Sequence, residues 1–246
     1  FVARGYLANT ERNYERLGNI ISDARLAGYI DWESIVDRTR GLRHNTHFDS
    51  PAGMVEHYAD SYVRDFWEGQ EYRPEVWIEK NALIDVVSGV CSELDVPHFA
   101  TVGYNSQTEM WVAAQRCLEA IEDGYKPVIL YFGDHDPSGI DMTRDIEERL
   151  RMFTGRRIWV ARLGLNMDQV DQYNPPPNPA KVTDSRFKDY TAKFDDECWE
   201  LDALEPQVIA DTTRRTIEQL INRPAWDKVQ ASWKAEQDRL RKLAQY

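Results

Sequence analysis

Cysteine is scarce in this sequence, positive charge is outweighed, and no apolar run is long. The three cysteines, Cys91, Cys117 and Cys198, form no CxxC pair, which argues against a disulfide framework or a zinc ribbon and fits a reducing cytoplasm. No stretch approaches the roughly 18 uncharged residues that span a bilayer, and runs such as VILYFG at 128–133 are strand-sized, so no membrane partner is expected. The opening FVARGYLANT has neither a basic start nor a sustained apolar stretch, so no signal peptide is visible. Phe1 in place of Met is read as a start downstream of the true N-terminus. The net charge of −12 argues against nonspecific coating of nucleic acid, because neutralising phosphates takes Lys and Arg. That imbalance is uneven. Residues 1–47 hold seven arginines against six acidic residues, whereas the remainder holds 23 basic and 36 acidic ones. A DNA partner is therefore expected at the N-terminal part and at local basic stretches such as Arg149, Arg151, Arg156 and Arg157.

With 246 residues and 42% apolar content, the chain suffices for one large domain or two modest ones. Asn9 and Thr10 can cap a helix whose apolar positions Tyr14, Leu17, Ile21 and Ala24 share one face, with Arg12 and Arg16 on another and Gly28 as its stop. DWESIVDRTRGL then adds a short amphipathic segment and a basic turn, consistent with a winged-helix module or with a solvated charged helix. A second helix is expected from Asp49-Ser50-Pro51 through Met54, Tyr58, Tyr62 and Phe66, linking two domains. Beyond it, strand-like runs at 75–79, 98–102, 127–132 and 157–161 alternate with helical stretches around 81–94, 107–122 and 140–152. That βαβαβαβ order predicts a parallel sheet with helices on its faces. QYNPPPNPAKVTD (172–184) reads as a loop, a rigid connector or a recognition element. The tail from Ala225 reads as a helix with Trp226, Val229, Trp233, Leu240 and Leu243 on one side, packed on the body or on a second subunit.

Glu79 closes the run EVWIE, and Asp134-His135-Asp136 follows VILYFG. Carboxyl ends of strands form the ligand crevice of open α/β sheets, so residues far apart in sequence can converge there. Three converging carboxylates need a cation: at about 4 Å and an effective dielectric near 20, each like-charge pair costs roughly 4 kcal/mol. A bound Mg²⁺ would relieve that conflict through hard oxygen ligands; raised carboxylate pKa values are the alternative. Asp134 and Asp136, two apart, point the same way in an extended segment, and Pro137-Ser138-Gly139 then allows a helix to begin at once. DxDxxG alone is a modest signal and gains weight only from the preceding strand, the following helix and the partner Glu.

IEKNAL at 78–83, GYNS at 103–106 and GDHDPSGIDM at 133–142 resemble the Toprim domain of the topoisomerase VI A subunit, the related eukaryotic protein that starts meiotic recombination, and small stand-alone microbial and phage relatives. The resemblance covers about 75–162; residues 1–48 more loosely resemble the family's winged-helix domain, and 163–246 are unmatched. It implies an α/β fold with a Toprim-like parallel sheet flanked by helices, preceded by a partial winged-helix domain. The expected organisation is a partial winged helix over 1–48, a linking helix over 49–74, a Toprim domain over 75–165, and a Pro-rich loop with a helical extension over 166–246. It further implies that Glu79, Asp134 and Asp136 bind Mg²⁺ or Mn²⁺, with Glu79 as ligand or proton donor and Lys80 as its catalytic companion. The family's tyrosine nucleophile attacks a DNA phosphate; its expected position lies before Phe1, and Tyr6 falls beyond it.

Arg12 and Arg16 are the expected phosphate contacts on the first helix, and Asn105 and Ser106 either position phosphate or make a turn. His135 either donates to phosphate or faces solvent. His44 and His47 lack Cys partners and form a poor zinc site. Asp141, Asp145 and KFDDECWELDALE (193–205) read as solvated helix faces. The expected function is a DNA-associated, homodimeric type IIB topoisomerase A-subunit-like protein, with a separate ATPase subunit for strand passage. A Toprim metal-dependent nuclease and a noncatalytic DNA-binding or assembly component are the alternatives.

Overall fold

The computed structural model describes residues 5–8, 10–35, 45–101, 105–180 and 183–243. Contacts divide the chain into a larger unit, 63–233, and a smaller one, 1–62 with 234–246.

The larger unit is built on four parallel strands, β1 (Tyr72–Ile78), β2 (His98–Ala100), β3 (Lys126–Phe132) and β4 (Trp159–Gly164), in the order β2-β1-β3-β4. Side chains alternate across the pleat, so each central strand feeds two cores. Val76, Ile78, Val128, Leu130 and Phe132 face one side, while Trp77, Ile129 and Tyr131 face the other. Because both faces are covered, β3 reads as a continuous apolar run rather than an alternating one. The first face is closed by Val87, Val90 and Cys91 of helix α3 (Ile84–Glu93) and by Ile209 and Ile217 of a later helix. The second is closed by Met110, Ala113 and Cys117 of α4 (Gln107–Glu122) and Met142, Ile146 and Leu150 of α5 (Pro137–Thr154). Each fully buried apolar side chain contributes roughly 1.5–3 kcal/mol. This is the α/β architecture of a parallel sheet flanked by helices that the sequence predicts.

Boundaries moved for local reasons. α5 opens at Pro137 rather than near 140, because the Asp136 carboxylate accepts from Gly139 N–H at 2.6 Å and caps it. The last strand extends to Gly164 instead of stopping near 161. After β4 come α6 (Met167–Tyr173), β5 (Asn178–Pro179), α7 (Phe187–Phe194), β6 (Glu197–Cys198), a 3₁₀ turn at Leu201–Ala203, α8 (Pro206–Leu220) and α9 (Arg223–Leu243). The proline run is an extended connector, and its end pairs antiparallel with β6 through Asn178 and Cys198.

In the smaller unit, α1 (Glu11–Leu26) starts at a Thr10 cap and is followed by Gly28 at φ +78°, as the sequence predicts. None of its residues is buried. α2 (Pro51–Ser61) is capped by Ser50, and it stops before Tyr62 and Phe66, which the spacing of aromatics had placed within it. Tyr62 instead has extended backbone and donates its hydroxyl to Glu236 at 2.6 Å. Residues 36–44, including His44 and the basic turn of the winged-helix expectation, lie outside the described residues.

Candidate functional site

Glu79 leaves the end of β1 and Asp134 the end of β3, the two central strands. Asp134 N–H donates to Glu79 Oε2 at 2.9 Å, and Tyr131 hydroxyl reaches the same oxygen at 3.4 Å. The backbone must pass very close here. A Cβ on Gly133 would stand 2.9 Å from Glu79 Oε2, and one on Gly139 would stand 2.2 Å from the Asp134 carbonyl oxygen. Asp134 Oδ1 accepts from Leu201 N–H at 2.7 Å and faces Lys80 Nζ at 3.4 Å. Lys80 also pairs with Glu200, and with Asp202 at 3.2 Å. Asp136 spends Oδ1 on Gly139 N–H and on Ser138 hydroxyl at 3.0 Å.

One half-buried cation underlies this loop. Arg162 of β4 donates to the carbonyls of Gly133 (2.9 Å), Asp134 (2.6 Å) and Gly139 (2.8 Å), to Thr143 hydroxyl (3.2 Å) and to Leu165 carbonyl (3.3 Å). It forms no direct ion pair among the described residues; its charge acts on Glu79, Asp134 and Asp136 through space. Five carboxylates, Glu79, Asp134, Asp136, Glu200 and Asp202, thus share two cations, Lys80 and Arg162, and outnumber them.

Burial raises the Glu79 pKa, opposed by the Asp134 N–H and reinforced by the charge of Asp136. Burial pushes Asp134 up to about 7 against the pull of Lys80. Burial would lower the Lys80 ammonium, but Asp134, Glu200 and Asp202 outweigh it and hold Lys80 charged.

His135 is 1% exposed, which corrects the solvent-facing expectation and removes it as a phosphate donor. Its ring lies among Tyr190, Phe194 and Trp199 at centroid distances of 4.7–5.8 Å. Its backbone bridges that of Trp199 in both directions, at 2.8 and 2.9 Å. Tyr190 hydroxyl contacts His135 Nδ1 at 2.8 Å and lies within donating distance of the carbonyls of His135 and Glu197, which leaves Nδ1 as the donor to it. Burial lowers this imidazole to about 4, so it is neutral.

The segment 193–205, read from sequence as a solvated helix face, is instead part of the site wall, with Cys198, Trp199, Leu201, Ala203 and Leu204 buried. Alternation of Trp199, Leu201 and Ala203 with Glu200 and Asp202 was the available signal: period two, not a helical period. Asp141 and Asp145 are not merely solvated either, for they pair with Arg144, Arg186 and Arg149.

Ser106 caps α4 by accepting from Glu109 N–H at 3.1 Å, so its hydroxyl makes the turn. Asn105 is 7% exposed, and its Nδ2 is a buried donor without a hydrogen-bond partner among the described residues. Arg149 holds the carbonyls of both residues at 2.8–2.9 Å and pairs with Asp145; it is a structural strut rather than an open DNA contact. Arg12 and Arg16 are exposed on α1, which belongs to the smaller unit.

The donors offered at the strand ends are all hard carboxylate oxygens, the type Mg²⁺ takes. Glu79 Oε1, Asp134 Oδ2 and Asp136 Oδ2 have no hydrogen-bond partner among the described residues. As placed, no three His, Cys, Asp or Glu side chains among the described residues gather closely enough to hold an ion. No helix of the described residues is long and apolar enough to cross a membrane. No protein-family model, curated protein or solved structure matches the chain.

Proposed function

We propose that the chain is a type IIB topoisomerase A-subunit-like protein, combining a Toprim-like sheet with a partial winged-helix module over 1–48, that cleaves and rejoins DNA by tyrosine transesterification. The observation that supports this reading is the meeting of Glu79 and Asp134 at the ends of adjacent central strands, with Asp136 heading α5. Glu79, Asp134 and Asp136 would hold Mg²⁺ or Mn²⁺ through their unengaged oxygens, drawn closer than they stand. The ion would stabilise charge on the scissile phosphate. In the alternative in which Asp134 and Asp136 alone hold the ion, Glu79, its pKa raised by burial, is suited to give a proton to the leaving sugar oxygen. Lys80 holds Asp134 in place, and Asn105 Nδ2 is a buried donor left for a phosphate oxygen. The attacking tyrosine is assigned upstream of Phe1, in a homodimer that supplies two nucleophiles and works with a separate ATPase subunit. Arg12 and Arg16 contact DNA phosphates.

Mn²⁺ titration followed by electron paramagnetic resonance, together with labelled supercoiled DNA incubated and then denatured, tests this. The chain should bind Mn²⁺ and DNA without forming a covalent adduct. Unchanged Mn²⁺ binding in Asp134→Asn with Asp136→Asn would sink the site assignment, and an adduct lost in Tyr6→Phe would make Tyr6 the nucleophile. Arg12→Ala with Arg16→Ala should flatten the salt dependence of duplex binding by about 0.9 in slope per lost phosphate contact. Cut DNA with free ends and no adduct at any chain length would indicate water as nucleophile, the nuclease alternative.

One observation favours a second reading, a component that binds DNA or organises an assembly without turnover. Lys80 already neutralises part of the cluster, and the carboxylates are not gathered for an ion. Its signature is DNA binding that survives loss of Asp134 and Asp136 with no turnover in any longer form.

A further inference from the structure

The end of the sheet opposite the acidic site carries a cleft of its own. It holds about 530 Å³ beside the first residues of β1, β3 and β4 and the end of α4, within the roughly 300–1,000 Å³ usual for small-ligand sites. Three aromatic rings line it, from Tyr72, Tyr125 and Trp159, together with three cations, Lys126, Arg156 and Arg157.

These groups are not equally committed. Lys126 is answered by Glu71 at 2.5 Å, and the ring of Tyr125 carries the Arg73 guanidinium at 4.0 Å. Trp159, by contrast, is 52% exposed and meets Tyr72 edge-on at 6.1 Å, leaving much of an indole open to solvent. The guanidiniums of Arg156 and Arg157 are exposed, with no side-chain partner among the described residues. In a chain of net charge −12, two adjacent uncommitted cations beside an open tryptophan form a local exception to the prevailing field.

We infer that this cleft binds a nucleotide unit, with its base stacked on Trp159 and its phosphate held by Arg156 and Arg157. Every base offers a π-face, so stacking on an indole tolerates any sequence. The planar guanidinium fork matches two phosphate oxygens where an ammonium would meet one. The ligand is either a free nucleotide or one nucleotide of a single strand, since both present the same base and phosphate. No residue is shared with the acidic site, so this inference stands whether or not that site cleaves DNA.

The test is fluorescence polarisation of a short labelled oligothymidylate on the full chain in EDTA, where ion-dependent contacts are silent, with thymidine 5′-monophosphate as competitor. Trp159→Ala should weaken binding about tenfold or more, with Trp159→Phe retaining most of it. Arg156→Ala with Arg157→Ala should reduce the slope of log affinity against log salt by about 1.4, roughly 0.7 for each single-strand phosphate contact. Circular dichroism melting confirms that each variant is folded. Displacement by the monophosphate at low excess assigns the cleft to free nucleotides, and strand binding that resists it assigns the cleft to single strands. Failure of both probes to bind, or strand binding unchanged in folded Trp159→Ala, overturns the inference.

Discussion

Arg162→Met asks how much of the acidic site rests on one guanidinium. The Asp134 carbonyl has Arg162 as its donor among the described residues, whereas the Gly133 carbonyl also accepts from Leu165 N–H at 2.6 Å. Removing the guanidinium therefore orphans one carbonyl outright, at about 1–3 kcal/mol, and deletes charge-assisted bonds to the carbonyls of Gly133, Gly139 and Leu165 and to the Thr143 hydroxyl, at about 1.5–3 kcal/mol for each well-formed one. Against that stands the relief of a largely desolvated cation, which recovers a large part of the sum. The net expectation is a loss of about 3–5 kcal/mol, as for breaking other buried charged contacts. Urea unfolding should show a lower midpoint with an unchanged slope. Arg162→Lys should recover less than half, because one ammonium cannot span the carbonyls of Gly133, Asp134 and Gly139. A folded Arg162→Met protein within about 1 kcal/mol of the parent would refute this account of the loop's support.

Other outcomes follow from the same geometry. Gly139→Ala places a Cβ 2.2 Å from the Asp134 carbonyl oxygen, and since backbone must yield, chemical unfolding should show a loss of at least about 2 kcal/mol. Asp134 has a folded pKa raised to about 7 from 3.8, so its contribution to stability is fullest below about pH 4 and is lost as pH rises toward 7. Melting in metal-free buffer across that window should decline in the parent and flatten in Asp134→Asn; parallel curves would contradict the assignment. Tyr190→Phe should cost about 1–2 kcal/mol by leaving His135 Nδ1–H without its acceptor, and proton NMR should show faster solvent exchange of that ring proton. An exchange rate equal to the parent's would place the Nδ1–H bond elsewhere.

How legible this molecule was depended on how far each residue's partners lay along the chain. Doubly covered parallel strands are unbroken apolar runs, so VILYF announced β3, and the acids beyond such runs had to stand at strand ends. Asp136-Pro137 carried the start of α5 in adjacent residues, cap and first turn, although the helical pattern alone put that start near 140. Tyr58, Tyr62 and Phe66 repeat every four residues and imitate a helix face. Phe66 instead answers Trp226 and Trp233, whose rings lie 5.3 Å away and far along the chain. The same distance in sequence hid the burial of His135, whose hydrogen-bond partner is 55 residues on. Arg162 gave no signal at all: one arginine in an edge strand looks like any solvated charge until the carbonyls that it serves fold against it.

The pairing of Lys80 with Glu200 closes 120 residues of chain, and that of Asp134 with Leu201 closes 67. During synthesis the sheet can assemble once β4 has emerged, since its strands and crossover helices are all present by then. At that moment Asp134 has neither the Leu201 amide nor the aromatic clamp on the neighbouring histidine. Long closures of this kind are the slow part of folding. A nascent chain can therefore pair its strands while the acidic crevice is still unfinished and Ile209 and Ile217 of α8 have yet to close one face of the sheet.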